Sequence, residues 1–203
     1  TRHDGWRLPP SRRAHALYGR ATPHATGRGE TRMQSVELLL DPATDTRVRD
    51  QWQLLVEAGL PSQARHTGPT NAPHVTLAVR DAVDPAAEPR LRELAAALPL
   101  PVRLGPVAVF GRHRYVLVLL LVVDTHLLAL HAAVAGALGR HGLGDPLTEP
   151  GRWTPHVTLA RGLGAVEVGR ALEALGGSSP VEGAAVDCRR WDSETRRAWS
   201  LRE

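Results

Sequence analysis

One hexapeptide occurs twice in this chain of 203 residues: Pro73-His74-Val75-Thr76-Leu77-Ala78 returns as Pro155-His156-Val157-Thr158-Leu159-Ala160. Six matching positions in so short a chain are not a chance event, and a repeat constrains the fold before any single residue does. Two copies, starting 82 residues apart, are too few and too widely spaced for a solenoid. They imply two similar halves, each bringing one copy of a site to a shared place.

Each copy has the character of a β-strand. Val, Thr and Leu suit the pleated conformation, and proline is tolerated at a strand's first residue, where no ladder donor is needed. Side chains alternate between the faces of a strand, so His74 and Thr76 share one face while Val75 and Leu77 share the other. The apolar pair can enter a core. The imidazole and the hydroxyl then stand together, roughly 6–7 Å apart along the strand. A pseudo-twofold that sets the second strand beside the first makes two imidazoles and two hydroxyls converge.

Such a constellation suits phosphodiester cleavage. That reaction needs a base to activate the nucleophile and an acid to protonate the leaving oxygen. Histidine is the side chain whose ordinary pKa lies near neutrality, so two histidines can divide the roles. Hydroxyls can donate to the non-bridging phosphate oxygens and hold them in line. This chemistry requires no metal, nucleotide or other cofactor.

The paired His-x-Thr motifs, His74-Val75-Thr76 and His156-Val157-Thr158, resemble those of the 2H phosphoesterase superfamily. The longer form Pro-His-Val-Thr-Leu-Ala, followed by Arg161 in the second copy, is most similar to its 2'-5' RNA ligase and RNA 2',3'-cyclic phosphodiesterase branch. The order of elements from Met33 onward fits as well. The resemblance implies an α+β fold of two pseudo-symmetric lobes, with antiparallel sheets lining a central cleft and helices outside. It implies His74 and His156 as catalytic residues, one as base and the other as acid, with the near-symmetry of the halves leaving the assignment open. Thr76, Thr158 and Arg161 are the substrate-binding candidates. Strict alternation points Arg161, three residues beyond Thr158, to the opposite face, so it reaches the site only if the strand ends or bulges there. Phe110 is a candidate for stacking on a base, against a role in the core. The substrates implied are RNA ends or small cyclic nucleotides, hydrolysed or joined through 2'-5' linkages. The alternative is a module of the same fold that binds a nucleotide or RNA end without turning it over.

Composition narrows these readings. All 25 basic residues are arginine. With no lysine, the lysyl-adenylate chemistry of ATP-dependent ligases and the P-loop lysine are both excluded. Residues 1–32 carry seven arginines against Asp4 and Glu30, a net of +5, so within the formal +4 of the whole chain the remainder carries −1. The body is therefore not a polybasic surface for gripping a long nucleic acid, whereas a small or terminal RNA held by a few local arginines is compatible. Cys188 is the sole cysteine; it forms no intramolecular disulfide and no zinc pattern, which favours a reduced, cytoplasmic setting and a small buried role on a C-terminal strand. The ten histidines are scattered. His126 and His131, five apart rather than four, lack the spacing of helical zinc ligands, which disfavours a metal-dependent hydrolase. They are expected at the core edge or on the surface.

Along the chain, residues 1–32 are rich in Arg, Gly and Pro without apolar periodicity and read as a disordered basic tail, with a single 2H-like domain over 33–203. Met33 is the only methionine and opens the first convincing strand, so translation is expected to begin there naturally. Strand Gln34–Leu40 precedes a helix capped by Asp41 or Thr44 and running to about Ala58, its apolar face formed by Val48, Trp52, Leu55 and Val56. Arg65 and His66 fall in a solvated loop before the first motif. A short helix to about Leu98 follows, then a strand Val102–Phe110 with a bulge or turn at Gly105-Pro106, and an apolar strand Arg114–Val123. The apolar run Tyr115–Val123 is far short of the roughly 20 residues of a membrane span. Asp124 or Thr125 caps a helix through about Gly139. Arg152 and Trp153 lie in a loop before the second motif, where Trp153 is expected to pack. Leu163–Leu175 reads as a helix, and strands near Val181–Trp191 and Arg196–Leu201 close the chain. No membrane and no obligate protein partner is expected, and the protein is expected to be a monomer.

Overall fold

A computed structural model describes residues 32–139, 144–177 and 180–202. The segment 1–31, which holds nearly all of the expected basic tail, lies outside the described residues. The chain runs β1 (Gln34–Leu40), α1 (Pro42–Glu57), β2 (His74–Arg80), α2 (Glu88–Ala95), β3 (Leu100–Phe110), β4 (Tyr115–Leu121), α3 (Thr125–Leu138), β5 (His156–Leu163), α4 (Ala165–Leu175), β6 (Val181–Asp192) and β7 (Arg197–Ser200). The repeat seen in the hexapeptide is thus a repeat of a whole β-α-β-α-β unit: β1 to β3 in the first half, β4 to β6 in the second.

All seven strands belong to one antiparallel sheet of order β1-β2-β5-β4-β3-β6-β7, and a further β1–β6 pairing brings its ends together. Each half completes itself with the other's last strand. β1 pairs with β2 and with β6, while β4 pairs with β5 and with β3. β6 serves three neighbours, because Val181–Ala185 pair with β3, Ala185–Asp192 with β1 and Arg189–Asp192 also with β7. The two motif strands meet at Val75↔Val157, the middle residues of the two His-x-Thr triplets. A local twofold therefore passes between those valines. The protein is α+β, as the motif and the element order imply.

Local chemistry accounts for the elements. Asp41 Oδ1 accepts from the backbone N–H of Ala43 at 3.1 Å and of Thr44 at 3.0 Å, and Pro42 opens α1 where its missing donor costs nothing. Asp124 Oδ1 accepts from Leu127 N at 2.8 Å and starts α3 in the same way. Val36, Leu38, Leu55, Leu77, Leu119 and Leu159 fill the core between sheet and helices. The Gly105-Pro106 bulge is present as a register shift between Leu104 and Val107 against β4. Two boundaries differ from expectation. Leu163 ends β5 rather than starting a helix, because Tyr115 across the sheet keeps it paired; α4 begins after Gly164, whose N–H is taken by Glu167 Oε2 at 2.6 Å. α2 stops at Ala95, short of Leu98, since a residue before proline disfavours the helical conformation. Among the described residues no helix is long and apolar enough to cross a membrane.

The cap of α1 is also the joint between the halves. Asp41 Oδ2 accepts from Ala184 N at 2.7 Å and Asp41 N donates to Ala184 O at 2.8 Å, which ties the start of α1 to β6. Gly183 makes this approach possible, since a Cβ there would overlap Thr44 Oγ1 and come within 2.8 Å of Asp41 Oδ2. Gly183→Ala is expected to destabilise the fold by about 1–3 kcal/mol through overpacking at the cap. Urea unfolding of the variant checks this, with an unchanged midpoint as the contrary result.

Candidate active site

The two motif strands carry the same irregularity at the same place. In β2, Val36 of β1 faces Ala78 and Glu37 faces Thr76, so Leu77 is an extra residue. In β5, Leu117 of β4 faces Ala160 and Val118 faces Thr158, so Leu159 is the extra residue. Both are β-bulges, which re-aim the side chains that follow them. Up to the bulge, His74 and Thr76 are half-buried while Val75 and Leu77 are fully buried, as the alternation requires. Beyond the bulge the alternation is reset. Arg161 returns to the face of Thr158, where its Nη2 donates to Thr158 Oγ1 at 3.3 Å. The bulge on which the return of Arg161 to this face depends is therefore present.

A bulge leaves a strand carbonyl without its ladder partner, and here an indole supplies the donor in each half. Trp52 Nε1 on α1 donates to Thr158 O at 3.0 Å, and Trp153 Nε1 donates to Thr76 O at 2.9 Å. The arrangement is crossed: the helix of the first half holds the motif strand of the second. Each tryptophan is itself held. Ser62 Oγ donates to Trp52 O at 2.6 Å, and the Trp153 ring stacks on His131 at 3.9 Å between centroids and 2° between planes. His131 is buried, with Nε2 at 2.9 Å from Thr148 O, whereas His126 is exposed. The expectation that Trp153 only packs misses its hydrogen bond.

The two imidazoles are fixed alike. His74 Nδ1 lies 2.7 Å from Ala72 O, and His156 Nδ1 lies 2.7 Å from Thr154 O. A carbonyl can only accept, so Nδ1 carries the proton and donates in both rings. When neutral, each ring therefore leaves Nε2 as a free acceptor. Phe110 stands edge-on to His156, with centroids 5.1 Å apart at 86°, so it belongs to the site's wall rather than to the deep core.

The surroundings of the two rings differ. His156 has its pKa drawn below the ordinary imidazole value, first by burial and then by the charges of Arg161 and His74, against the contrary pull of the Thr154 carbonyl. On the other side Glu37 Oε1 lies 3.8 Å from His74 Nε2. Glu37 is a buried carboxylate that composition and alternation did not single out. Burial pushes its carboxyl up, but His74, Arg189 and Ser35 outweigh that and hold it below the usual carboxylate value. The Cys188 thiol, buried on β6, is pushed up to about 12, mainly by burial and further by Asp187 and Glu37, which suits a packing role. Arg65 and His66 are exposed. Among the described residues no group of three or more His, Cys, Asp or Glu is placed to hold a metal ion.

A family model described as the 2'-5' RNA ligase superfamily matches residues 41–193. The chain belongs to this superfamily, a branch of the 2H phosphoesterases. Among solved structures, Usb1 of Kluyveromyces marxianus is 14% identical, with a TM-score of 0.49, over 83% of this chain and 97% of its own. E. coli LigT complexed with NADP+ is 20% identical, with a TM-score of 0.47, over 86% of this chain and 100% of its own. No curated protein matches the chain.

Two predictions follow from this geometry. The imidazole of His156 is expected to titrate below the ordinary imidazole value, and Arg161→Met, which removes one of the depressing charges, to move its midpoint upward. Histidine Cε1–H chemical shifts against pH measure both; a midpoint that ignores the substitution would separate Arg161 from the ring. Trp52→Phe and Trp153→Phe each strand a threonine carbonyl and are expected to cost about 1–3 kcal/mol. Equilibrium unfolding checks the cost, and unaltered stability in both variants would mean that water replaces the indoles.

Proposed function

We propose that the protein is a metal-independent phosphodiesterase that opens 2',3'-cyclic phosphates of RNA ends or small nucleotides, with His74 and His156 as its acid–base pair. The observation that carries this reading is the matched anchoring of the two imidazoles. Each Nδ1 is committed to a carbonyl two residues upstream, and each Nε2 is left for chemistry on the face shared with Thr76 and Thr158. One ring takes a proton from water as its oxygen forms a bond to phosphorus. The other gives a proton to the ribose oxygen as its bond to phosphorus breaks. Thr76, Thr158 and Arg161 donate to the non-bridging oxygens, and these contacts hold the phosphate in line. A 5'-hydroxyl in place of water makes the same step a joining reaction that forms a 2'-5' linkage.

The test is turnover of uridine 2',3'-cyclic phosphate in EDTA, with product regiochemistry assigned. His74→Ala and His156→Ala are each expected to lower kcat by about 10²–10⁴-fold with the fold retained. Because both rings act in one transition state, the double variant is expected to lose less than the product of the two effects. Tight binding of the nucleotide without product would instead identify a binding module, and near-normal turnover by either single variant would remove that histidine from the reaction.

A further inference from the structure

Two identical imidazoles cannot share the work of acid and base unless something makes them unlike. The motifs themselves do not: His-Val-Thr-Leu-Ala is the same in both. The difference must come from what faces them. Opposite Thr76 on the neighbouring strand stands Glu37, and opposite Thr158 stands Val118. One strand further, Glu37 faces Arg189 of β6, whereas Val118 faces Ala108 of β3. By the 82-residue repeat, Arg161 in the second half corresponds to Val79 in the first. Each wall of the pseudo-symmetric site thus keeps an apolar residue where the other has a charge.

We propose that Glu37 is a positioning residue that makes His74 the proton donor of the pair, leaving His156 as the acceptor. The inference rests on the phosphodiesterase reading above. Glu37 is built for such a role. Its Oε2 is occupied by Arg189, at 2.9 Å from Nε and 2.8 Å from Nη2, and its Oε1 takes Ser35 Oγ at 2.6 Å. These contacts orient the carboxylate so that Oε1 is also the oxygen beside His74 Nε2, 3.8 Å away. That distance is too long for a hydrogen bond and too short to admit a water, so it is an ion-pair contact that a proton on Nε2 tightens. An unpaired buried carboxylate would be neutralised by protonation. Arg189 keeps Glu37 ionised, and Oε1 still presents negative charge to the ring.

Among the described residues, the charged and titratable groups placed beside the two rings include Glu37 of β1, Arg189 of β6 behind it, Arg161 of β5, and the other imidazole in each case. Glu37 attracts a proton to His74, while Arg161 and a protonated His74 repel one from His156. A single proton shared by the two rings is therefore favoured on the ring beside the carboxylate over the ring beside the guanidinium. His156 Nε2 accepts the proton of the attacking water as its oxygen bonds to phosphorus. His74 Nε2 releases its proton to the departing ribose oxygen as that bond breaks. As a structural partner Arg189 accounts for Oε2 and Ser35 for one contact of Oε1, and the same Oε1 is also the oxygen facing His74 Nε2.

The test is the pH profile of Glu37→Gln, which removes the charge and keeps the shape. On uridine 2',3'-cyclic phosphate the alkaline limb of kcat/KM is expected to move to lower pH and kcat to fall about 10-fold, with KM within about twofold. On thymidine 3'-(4-nitrophenyl phosphate), which has no 2'-hydroxyl, so that water remains the nucleophile, and whose leaving group needs no proton, the variant is expected to stay near wild type, and His74→Ala to show the same split between substrates. In a His74→Ala background, Glu37→Gln is expected to have no further effect on kcat. If Glu37→Gln does not fold, Glu37→Gln/Arg189→Gln, which leaves no buried charge unpaired, carries the same measurements. An unmoved alkaline limb, or equal losses on both substrates, overturns the role of Glu37 while leaving the enzyme reading intact. Near-normal turnover by His74→Ala on the cyclic substrate sinks that reading itself.

Discussion

The contact on which the site depends is the meeting of Val75 and Val157. Both side chains are fully buried, and they are the point at which the two motif strands are paired. Continued in antiparallel register, that one pair sets His74 across from Thr158 and Thr76 across from His156. Neither half carries both His-x-Thr motifs, so on the proposed reading the acid–base pair is assembled across this contact. The bulges at Leu77 and Leu159 then bend each strand immediately past the motif. They release the threonine carbonyls from the ladder, and Trp52 and Trp153 recapture them from the opposite half. The fold thus spends its two best-placed indoles on fixing the curvature of two strands.

Much of this could be read from the chain alone, and the reason is local. Strand identity, the shared face of His74 and Thr76, the Asp41 and Asp124 caps and the Gly105-Pro106 bulge each depend on residues within a few positions of one another. Arg161 shows the limit. Alternation sends it to the wrong face, and only the bulge at Leu159 brings it back. A signal for that bulge was present, because Leu-Ala in both copies puts two apolar residues in succession where a half-buried strand should alternate. The roles of Trp52 and Glu37 had no such signal. Trp52 lies 106 residues from the carbonyl it holds, and an acidic residue in an apolar strand gives no sign of the Arg189 that faces it 152 residues later.

Surface charges largely cancel one another, and two arginines stand beside the motifs. Residues 33–203 carry close to no net charge. Yet Arg161 lies against a motif threonine and Arg189 behind the one carboxylate that touches a motif histidine. A phosphate held by two hydroxyls and a guanidinium gains hydrogen-bond geometry more than bulk attraction. On the proposed reading a short substrate gives such a site most of what it can use, because the candidate phosphate-holding groups, Thr76, Thr158 and Arg161, all lie within the two motifs and the residue that follows the second.

A duplicated site raises a difficulty that the flanking charges answer. On the proposed reaction, the acceptor ends each turnover with a proton and the donor without one, so the pair finishes in the reverse of its starting state. In a symmetric site the two states would be equal in energy, and half of the molecules would meet the next substrate wrongly protonated. With Glu37 beside one ring and Arg161 beside the other, the reversed state places a cation against a guanidinium and a neutral ring against a carboxylate, both unfavourable. Protons exchanged with solvent then restore the starting state between turnovers. Under the proposed division of roles, the residues outside the motif therefore do more than choose which histidine acts first. They reset the choice each time, which an exact repeat of His-Val-Thr-Leu-Ala cannot do for itself.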